Sequence, residues 1–418
     1  MTRTPSDLTL GQRLMERLDQ AAAFSRPGPG VTRLFCSDEH RRLLPLLETW
    51  MTRAGLTPEL DAAGTLVGRN LRALAGEPTL ILGSHQDTVT EGGKYDGMLG
   101  VALPLLALEA LREQGGELDY GIEVVAFGDE EGTRFQSTLV GSRALAGTFD
   151  PAMLDARDSD GIRLGEALAA FGGNPQSMST LARDPGKTLG FVEVHIEQGP
   201  VLEQQGLAVG VVTALTGIER HRISVIGKAG HAGTTPMAGR RDALVGASEM
   251  VMEADRLLNE GEGLVGVVGK LEVRPNAVNV IPAEVIFSLE LRSPERAKRL
   301  AGRERILHAV KDIASRRGLV LDIEPTYQAE GVPCADWLIE ALEAACTAAG
   351  EPTRRLFSGA GHDGLAMHDL TDIGMLFVRC REGLSHHPDE AISAADAEAA
   401  TRVIMAMLRA MPTARRKA

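Results

Sequence analysis

The chain has 418 residues, enough for two or three domains and a sizeable core. Apolar residues make up 44% and charged residues 24%, which excludes an extended disordered chain. The balance of 44 Lys+Arg against 57 Asp+Glu, net −13, argues against nucleic acid as the main partner. No stretch approaches the roughly 20 apolar residues that span a bilayer, so no membrane association is expected. The amino terminus, MTRTPSDLTLGQRL, lacks the apolar core of a signal peptide, and a cytoplasmic location is expected. Cys36, Cys334, Cys346 and Cys380 are widely spaced, which suggests neither a disulfide framework nor a thiolate metal site.

The first third alternates strands and helices. PTLILGSHQDT reads as a buried strand running into a polar tip, and GVALPLLALEALREQG as an apolar helix. IEVVAFGDEEG is a strand ending in a carboxylate cluster, and LGFVEVHIEQGP repeats the arrangement. Ligand sites in open α/β sheets collect at the carboxyl ends of strands, so these three tips point to one crevice.

The pattern changes near residue 213. RHRISVIG (strand), DALVGASEMVMEADRLLNEG (helix), LVGVVGKLEVRP and AEVIFSLELRS (strands), ERAKRLAGRERILHAVKDIASRRG (helix) and LVLDIEPTY (strand) follow. That β-α-β-β-α-β order is the ferredoxin-like split βαβ motif. Afterwards DWLIEALEAACTAAG, IGMLFVRC and ADAEAATRVIMAMLRAM return to the first style, and the basic tail ARRKA reads as a solvated terminus. The expected fold is therefore α/β and two-domain. A mostly parallel-sheet catalytic domain spans 1–212 and 329–418, and an α+β domain is inserted at 213–328. Met250, Met252 and the other helical methionines are expected to fill core gaps.

Four clusters of potential metal ligands lie far apart in the chain: His85 and Asp87 with Asp96; Asp129, Glu130 and Glu131; His195 with Glu197; and His386 with His387. Imidazole plus carboxylate without thiolate suits Zn, Mn, Co or Ni in a catalytic site. His85 and Asp87 are two apart on an extended segment, which would let the Asp87 carboxylate hold the imidazole's second nitrogen. Asp96 lies in GGKYDGMLG, a turn able to bring a carboxylate between two ions. Of the adjacent Glu130 and Glu131, one can ligate while the other takes a proton from the attacking water. In EVIFSLELR, Val285, Phe287, Leu289 and Leu291 share one face, leaving Arg292 on an accessible face, where it is either an ordinary surface arginine or a grip for a carboxylate.

The strings GSHQDTVTEGGKYDGMLGV, GDEEGTRF, VEVHIEQGP, GHAGTTPM, RPNAVNVIP, LRSP, SGAGHDG and GLSHHPDE run in order from Gly83 to Glu390, within a likeness that extends from about residue 60 to 395. Together they resemble the hydantoinase/carbamoylase family of amidases. This is the branch of the di-metal aminoacylase and carboxypeptidase superfamily that holds N-carbamoyl-L-amino acid hydrolases, allantoate amidohydrolases and β-ureidopropionases. The resemblance implies two divalent ions per subunit, one held by His85 and His195, the other by Glu131 and His386, with Asp96 bridging and Asp87 supporting. It makes Glu130 the general base and Gln198, His231, Asn279 and Arg292 substrate contacts, His231 also stabilising the oxyanion. It implies a homodimer formed through the inserted domain, which would also act as a lid hinged near residues 213 and 328. His387 stands beside His386 as an alternative last ligand, and Asn276 beside Asn279 as an alternative contact. His362 and Asp363 fit either a support for the metal shell or a structural role at a glycine turn. Two divalent charges against Asp96 and Glu131 leave a net positive centre able to polarise an amide oxygen. The implied reaction is hydrolysis of a linear ureido or carbamoyl amide beside a carboxylate, first of all an N-carbamoyl-L-amino acid. Allantoate, β-ureidopropionate and peptide or acyl-amino acid substrates follow in that order. A non-catalytic binding protein on the same scaffold is disfavoured, because it would be expected to have lost Glu130 or a ligand.

Overall fold

A computed structural model describes residues 8–261 and 263–411; the basic tail at 414–418 lies outside the described residues. The chain divides into two compact units, Met1–Thr213 with Pro333–Ala418, and Ala214–Val332.

In the first unit the strands before the division are β1 (Thr57–Leu60), β2 (Leu66–Arg69), β3 (Thr79–His85), β4 (Gly121–Phe127), β5 (Thr188–Ile196) and β6 (Val209–Leu215). The second unit carries β7 (Gly217–Ile226), β8 (Gly230–His231), β9 (Val265–Val267), β10 (Leu271–Arg274), β11 (Val280–Ile281), β12 (Glu284–Ser293) and β13 (Val320–Ala329). The chain returns through β14 (Val332–Pro333), β15 (Arg355–Ser358) and β16 (Ile373–Val378).

The first unit is a mixed α/β fold on a nine-stranded sheet of order β1-β2-β4-β3-β5-β16-β6-β14, with β15 on β6. Its four central strands, β4, β3, β5 and β16, run parallel, while β2 and β6 join antiparallel on either side. Every residue of β4 and β16 is buried, and so is all of β3 and β5 beyond the first residue. Burial of successive residues means that both sheet faces are covered, which is why these strands read as unbroken apolar runs. The helix Met98–Glu113 packs on the sheet with its apolar residues almost all buried. It sits close: a Cβ on Gly100 would lie 2.3 Å from the Val194 carbonyl oxygen and 2.6 Å from Ser84 Cβ.

In the second unit β10-β12-β7-β13 form an antiparallel sheet, with β9 also on β12 and a separate two-stranded pair of β8 and β11. Helices Ala243–Asn259 and Arg296–Arg317 bury one sheet face around Val225, Met250, Phe287, Leu289 and Val310. LVGVVGKLEVRP is not one strand. Val267 pairs with Glu290 and Leu271 with Phe287, so residues 268–270 face only 288 and 289, a one-residue bulge anchored by Lys270 and Ser288. Met252 is not core filler: it is 70% exposed while Met250 is buried, because residues two apart on a helix point about 200° apart. No helix among the described residues is long and apolar enough to cross a membrane.

Gly100→Ala should force the helix Met98–Glu113 off the sheet and cost about 1–3 kcal/mol. Urea unfolding followed by circular dichroism measures this, and an unchanged midpoint would contradict the close approach.

Candidate metal centre

The carboxyl ends of β3, β4 and β5 are neighbours in the parallel part of the sheet, so the polar tips that follow them converge. His85 is the last residue of β3 and His195 lies one residue before the end of β5. Each imidazole is buried and has its Nδ1 3.0 Å from a backbone carbonyl, of Asp87 and Ile196 respectively. A nitrogen so placed carries the proton, which leaves Nε2 of both rings as the ligand atom.

Both Nε2 atoms face the same carboxylate oxygen. Asp96 Oδ1 lies 3.2 Å from His85 Nε2 and 3.1 Å from His195 Nε2. The other oxygen, Oδ2, is 3.5 Å from His386 Nε2, which is itself 3.6 Å from Glu131 Oε1. The ligand atoms of His85, Asp96 and His195 therefore lie within 4.8 Å of one another, as do those of Asp96, Glu131 and His386. Ions of the zinc type bind such donors at about 2.0–2.2 Å, so each group fits one ion after slight contraction. Asp96 belongs to both groups. The turn carrying it needs Gly97, whose φ is +64° and whose Cβ, if present, would lie 2.4 Å from the His85 ring.

Glu130 and Glu131 are less separated than their adjacency suggests. Their carboxylates and His85 form a third group within 4.8 Å, with Glu130 Oε2 4.0 Å from His85 Nε2. His387 points elsewhere: its Nδ1 accepts a hydrogen bond from the Asp389 N–H.

One expectation is corrected. It is the Asp87 backbone carbonyl, not its carboxylate, that holds His85; the carboxylate lies 3.9 Å from Nδ1. β3 ends at His85, so the chain leaves the extended path before Asp87 and the side chain turns toward the loop after β4. There it accepts the backbone N–H groups of Glu130 and Glu131, at 3.2 and 3.3 Å, and so aims both glutamates. Glu197 likewise serves the backbone, accepting from Val201 and Leu202 at a helix start. Gln198 points its amide inward, donating to Asp96 Oδ2 at 2.8 Å and to Ser385 Oγ at 3.1 Å.

In the second unit, β8 and β11 bring His231 and Asn279 together: His231 pairs with Val280, and the Ala232 N–H donates to the Asn279 carbonyl. Both side chains are exposed, as is that of Asn276. Arg292 lies on the sheet face away from the helices, its Nε donating to Glu290 Oε1 at 2.7 Å.

Further buried partners support the centre, among them His362, whose role the sequence left open. His362 is stacked edge-on against His195, with ring centroids 4.5 Å apart, and its Nε2 is 2.7 Å from Ser358 Oγ. Glu193 accepts from Ser84 Oγ and from the Gly364 N–H. Glu390 accepts from the backbone of the Asp96 turn. A strand such as FVEVHI offered a signal for Glu193, since a carboxylate on a doubly covered strand must find partners. Glu390 closes the GLSHHPDE string, but that string gave it no role of its own.

Crowded acids set the electrostatics. Burial, with Asp96 nearby, pushes the Glu131 carboxyl up to about 8, and burial with Asp96 pushes Glu390 up to about 7. Burial also raises Glu130, reinforced by the charge of Glu131. For Asp96 burial acts upward, but His195 and His85 outweigh it and hold the group well below its ordinary value. Carboxylates that raise one another in a buried cluster mark a place built for cations.

The model of the peptidase family M20/M25/M40 matches residues 81–410. The chain belongs to this family. It is 38% identical to an N-carbamoyl-L-amino-acid amidohydrolase of Paenarthrobacter aurescens, over 96% of this chain and 98% of that one. Its identity to an allantoate deiminase of Arabidopsis thaliana is also 38%, over 96% and 82%. Among solved structures it is similar to an amidase of the hydantoinase/carbamoylase family from Burkholderia multivorans, with 33% identity, 97% and 98% coverage and a TM-score of 0.89. This places it, within the M20/M25/M40 peptidases, with the hydantoinase/carbamoylase amidases. The residues that line its candidate metal centre lie inside the matched span.

The raised carboxyls predict how metal-free protein responds to pH. A carboxyl whose folded value exceeds its unfolded one contributes stability that is full below the unfolded value, about 4.5, and is lost as pH rises through the folded value. With Glu131 near 8 and Glu390 near 7, chelated protein should be less stable at pH 8.5 than at pH 7. His85 and His195, which burial lowers but Asp96 and the neighbouring acids raise above their ordinary value, lose their folded-state protons over the rising-pH side as well and act in the same direction. Saturating divalent cation should shrink or reverse the difference, since it needs deprotonated ligands. Denaturant midpoints at the two pH values measure it; equal midpoints for the metal-free protein would contradict the reading.

Proposed function

We propose that the chain hydrolyses a linear ureido or carbamoyl amide beside a carboxylate, with N-carbamoyl-L-amino acids as the first substrate class. The observation that carries this is the sharing of the Asp96 carboxylate between His85 and His195 on one oxygen and His386, beside Glu131, on the other. That donor set fits two divalent cations, and Mn, Zn, Co and Ni all accept it. When bound, such ions polarise the scissile carbonyl and acidify water.

Glu130 is the base in this reading. Its raised carboxyl gains a proton readily once formed as carboxylate, so it suits taking a proton from the attacking water and returning it to the leaving nitrogen. Glu131 is the ligand, because its Oε1 faces His386. Gln198, already at Asp96, is a contact for the substrate head, and His231 stabilises the oxyanion. Asn279 and Arg292 complete the substrate contacts, Arg292 gripping the carboxylate through paired hydrogen bonds. Ammonia, carbon dioxide and the free amino acid are the products.

The strand order of the second unit supports reading it as a ferredoxin-like insertion. The family resemblance supports a homodimer through that unit, and the exposed Val245 and Met252 on its first helix fit a covered face.

The test is ammonia release from N-carbamoyl-L- and D-amino acids, allantoate, β-ureidopropionate, dipeptides and the carboxamide of a carbamoyl amino acid. Each is measured after chelation and after adding back single metals. Activity should be metal-dependent, highest on an N-carbamoyl-L-amino acid, and weak on the carboxamide that Arg292 cannot grip. Glu130→Gln should lower kcat by about 10²–10⁴-fold while metal content survives. Preference for allantoate would select the second substrate class; near-normal turnover of the Gln variant would remove Glu130 from the mechanism.

A further inference from the structure

Asp96 sits on a turn that has little to hold it locally. Gly92, Gly93 and Gly97 surround it, and no regular element covers residues 86–97. Yet its carboxylate has to keep one oxygen toward His85 and His195 and the other toward His386. Something distant in sequence has to fix it.

That group is Glu390. It is 3% exposed, and its Oε1 accepts the successive backbone N–H groups of Tyr95 and Asp96, each at 3.0 Å. A Cβ on Gly93 would lie 2.2 Å from the Glu390 carboxyl carbon, so the glycine turn is wrapped directly on this acid. Its Oε2 lies 3.3 Å from Ser385 Oγ, and that hydroxyl donates to Asp96 Oδ2 at 2.8 Å. The Glu390 N–H in turn closes onto the His387 carbonyl. Ser385, His386 and Glu390 therefore reach the Asp96 turn as one short segment that carries a ligand, a clamp on the carboxylate and a clamp on its backbone.

We infer that Glu390 is a positioning residue that ties the bridging carboxylate Asp96 to the segment bearing His386, so that the two cation subsites are built together. The inference rests on the two-cation reading of the centre. Glu390 belongs to none of the three groups of ligand atoms; it holds the backbone from which Asp96 reaches two of them. Losing it should weaken both cations, whereas loss of a ligand belonging to one subsite should weaken mainly that one.

The experiment is Mn²⁺ binding to the full chain by equilibrium competition with a chelator, together with the unfolding midpoint of the metal-free protein. Wild-type protein should bind two Mn²⁺ per chain. Glu390→Ala should weaken both by about 10–100-fold, the usual effect of removing a group that orients a ligand. Glu390→Gln keeps an acceptor oxygen for the two N–H groups and should stay within a few-fold of wild type. Where the Ala variant fails to fold, Glu390→Asp, one methylene shorter, should show the same loss of affinity. A lower unfolding midpoint with both Mn²⁺ affinities unchanged would make Glu390 merely structural and overturn the inference alone. Wild-type protein binding fewer than two Mn²⁺ would overturn the two-cation reading and the inference with it.

Discussion

Two imidazoles and one carboxylate oxygen meet at the end of the parallel strands, and that contact constrains the rest of the molecule. His85 and His195 come from different strands, each with Nδ1 committed to a backbone carbonyl, so both present Nε2 to Asp96 Oδ1. Around them stand Glu130, Glu131 and, behind, Asp87, all buried or nearly so. Without positive charge such a cluster repels itself; with it, the same carboxylates become ligands and a base. The burial that makes the acids costly alone also strengthens their hold on a cation.

The fold serves this contact by supplying rigidity from the sheet and reach from the loops. β3, β4 and β5 are covered on both faces, which fixes the strand ends from which His85, the glutamate pair and His195 depart. Asp87 then aims both glutamates through their backbone N–H groups. The helix Met98–Glu113 begins at the Asp96 turn and presses on the sheet at Gly100, so the turn is anchored on its far side as well. The second unit has its own core and carries His231, Asn279 and Arg292 on surfaces its helices leave open.

Much of this was legible in the sequence, for a physical reason: two-sided burial writes itself as unbroken apolar runs, and a His or acid that ends such a run stands out. The strands at His85, at Asp129–Glu131 and at His195 were readable in that way, and in the second unit the two helices and the long strands β7, β12 and β13 were readable from their periodicity. What failed was local geometry. The spacing of His85 and Asp87 implied a shared strand face, but the strand stops between them and the backbone, not the side chain, does the holding. The pattern of LVGVVGKLEVRP could not reveal the bulge at 268–270, which depends on the register of β12. Met252 was grouped with Met250 by composition although helix phase puts them on different faces. Glu390 stood in the GLSHHPDE string, but its role was illegible because its partners are backbone N–H groups almost three hundred residues away, and backbone donors leave no trace in composition.

In the proposed centre one carboxylate, Asp96, serves two cations at once. Anomalous diffraction from crystals of the metal-loaded protein tests it most directly. Two peaks about 3.5–4 Å apart are expected, the usual spacing of paired catalytic ions, with the Asp96 oxygens divided between them, one beside His85 and His195 and the other beside Glu131 and His386. A single peak, or two peaks with Asp96 bound to only one of them, would contradict it.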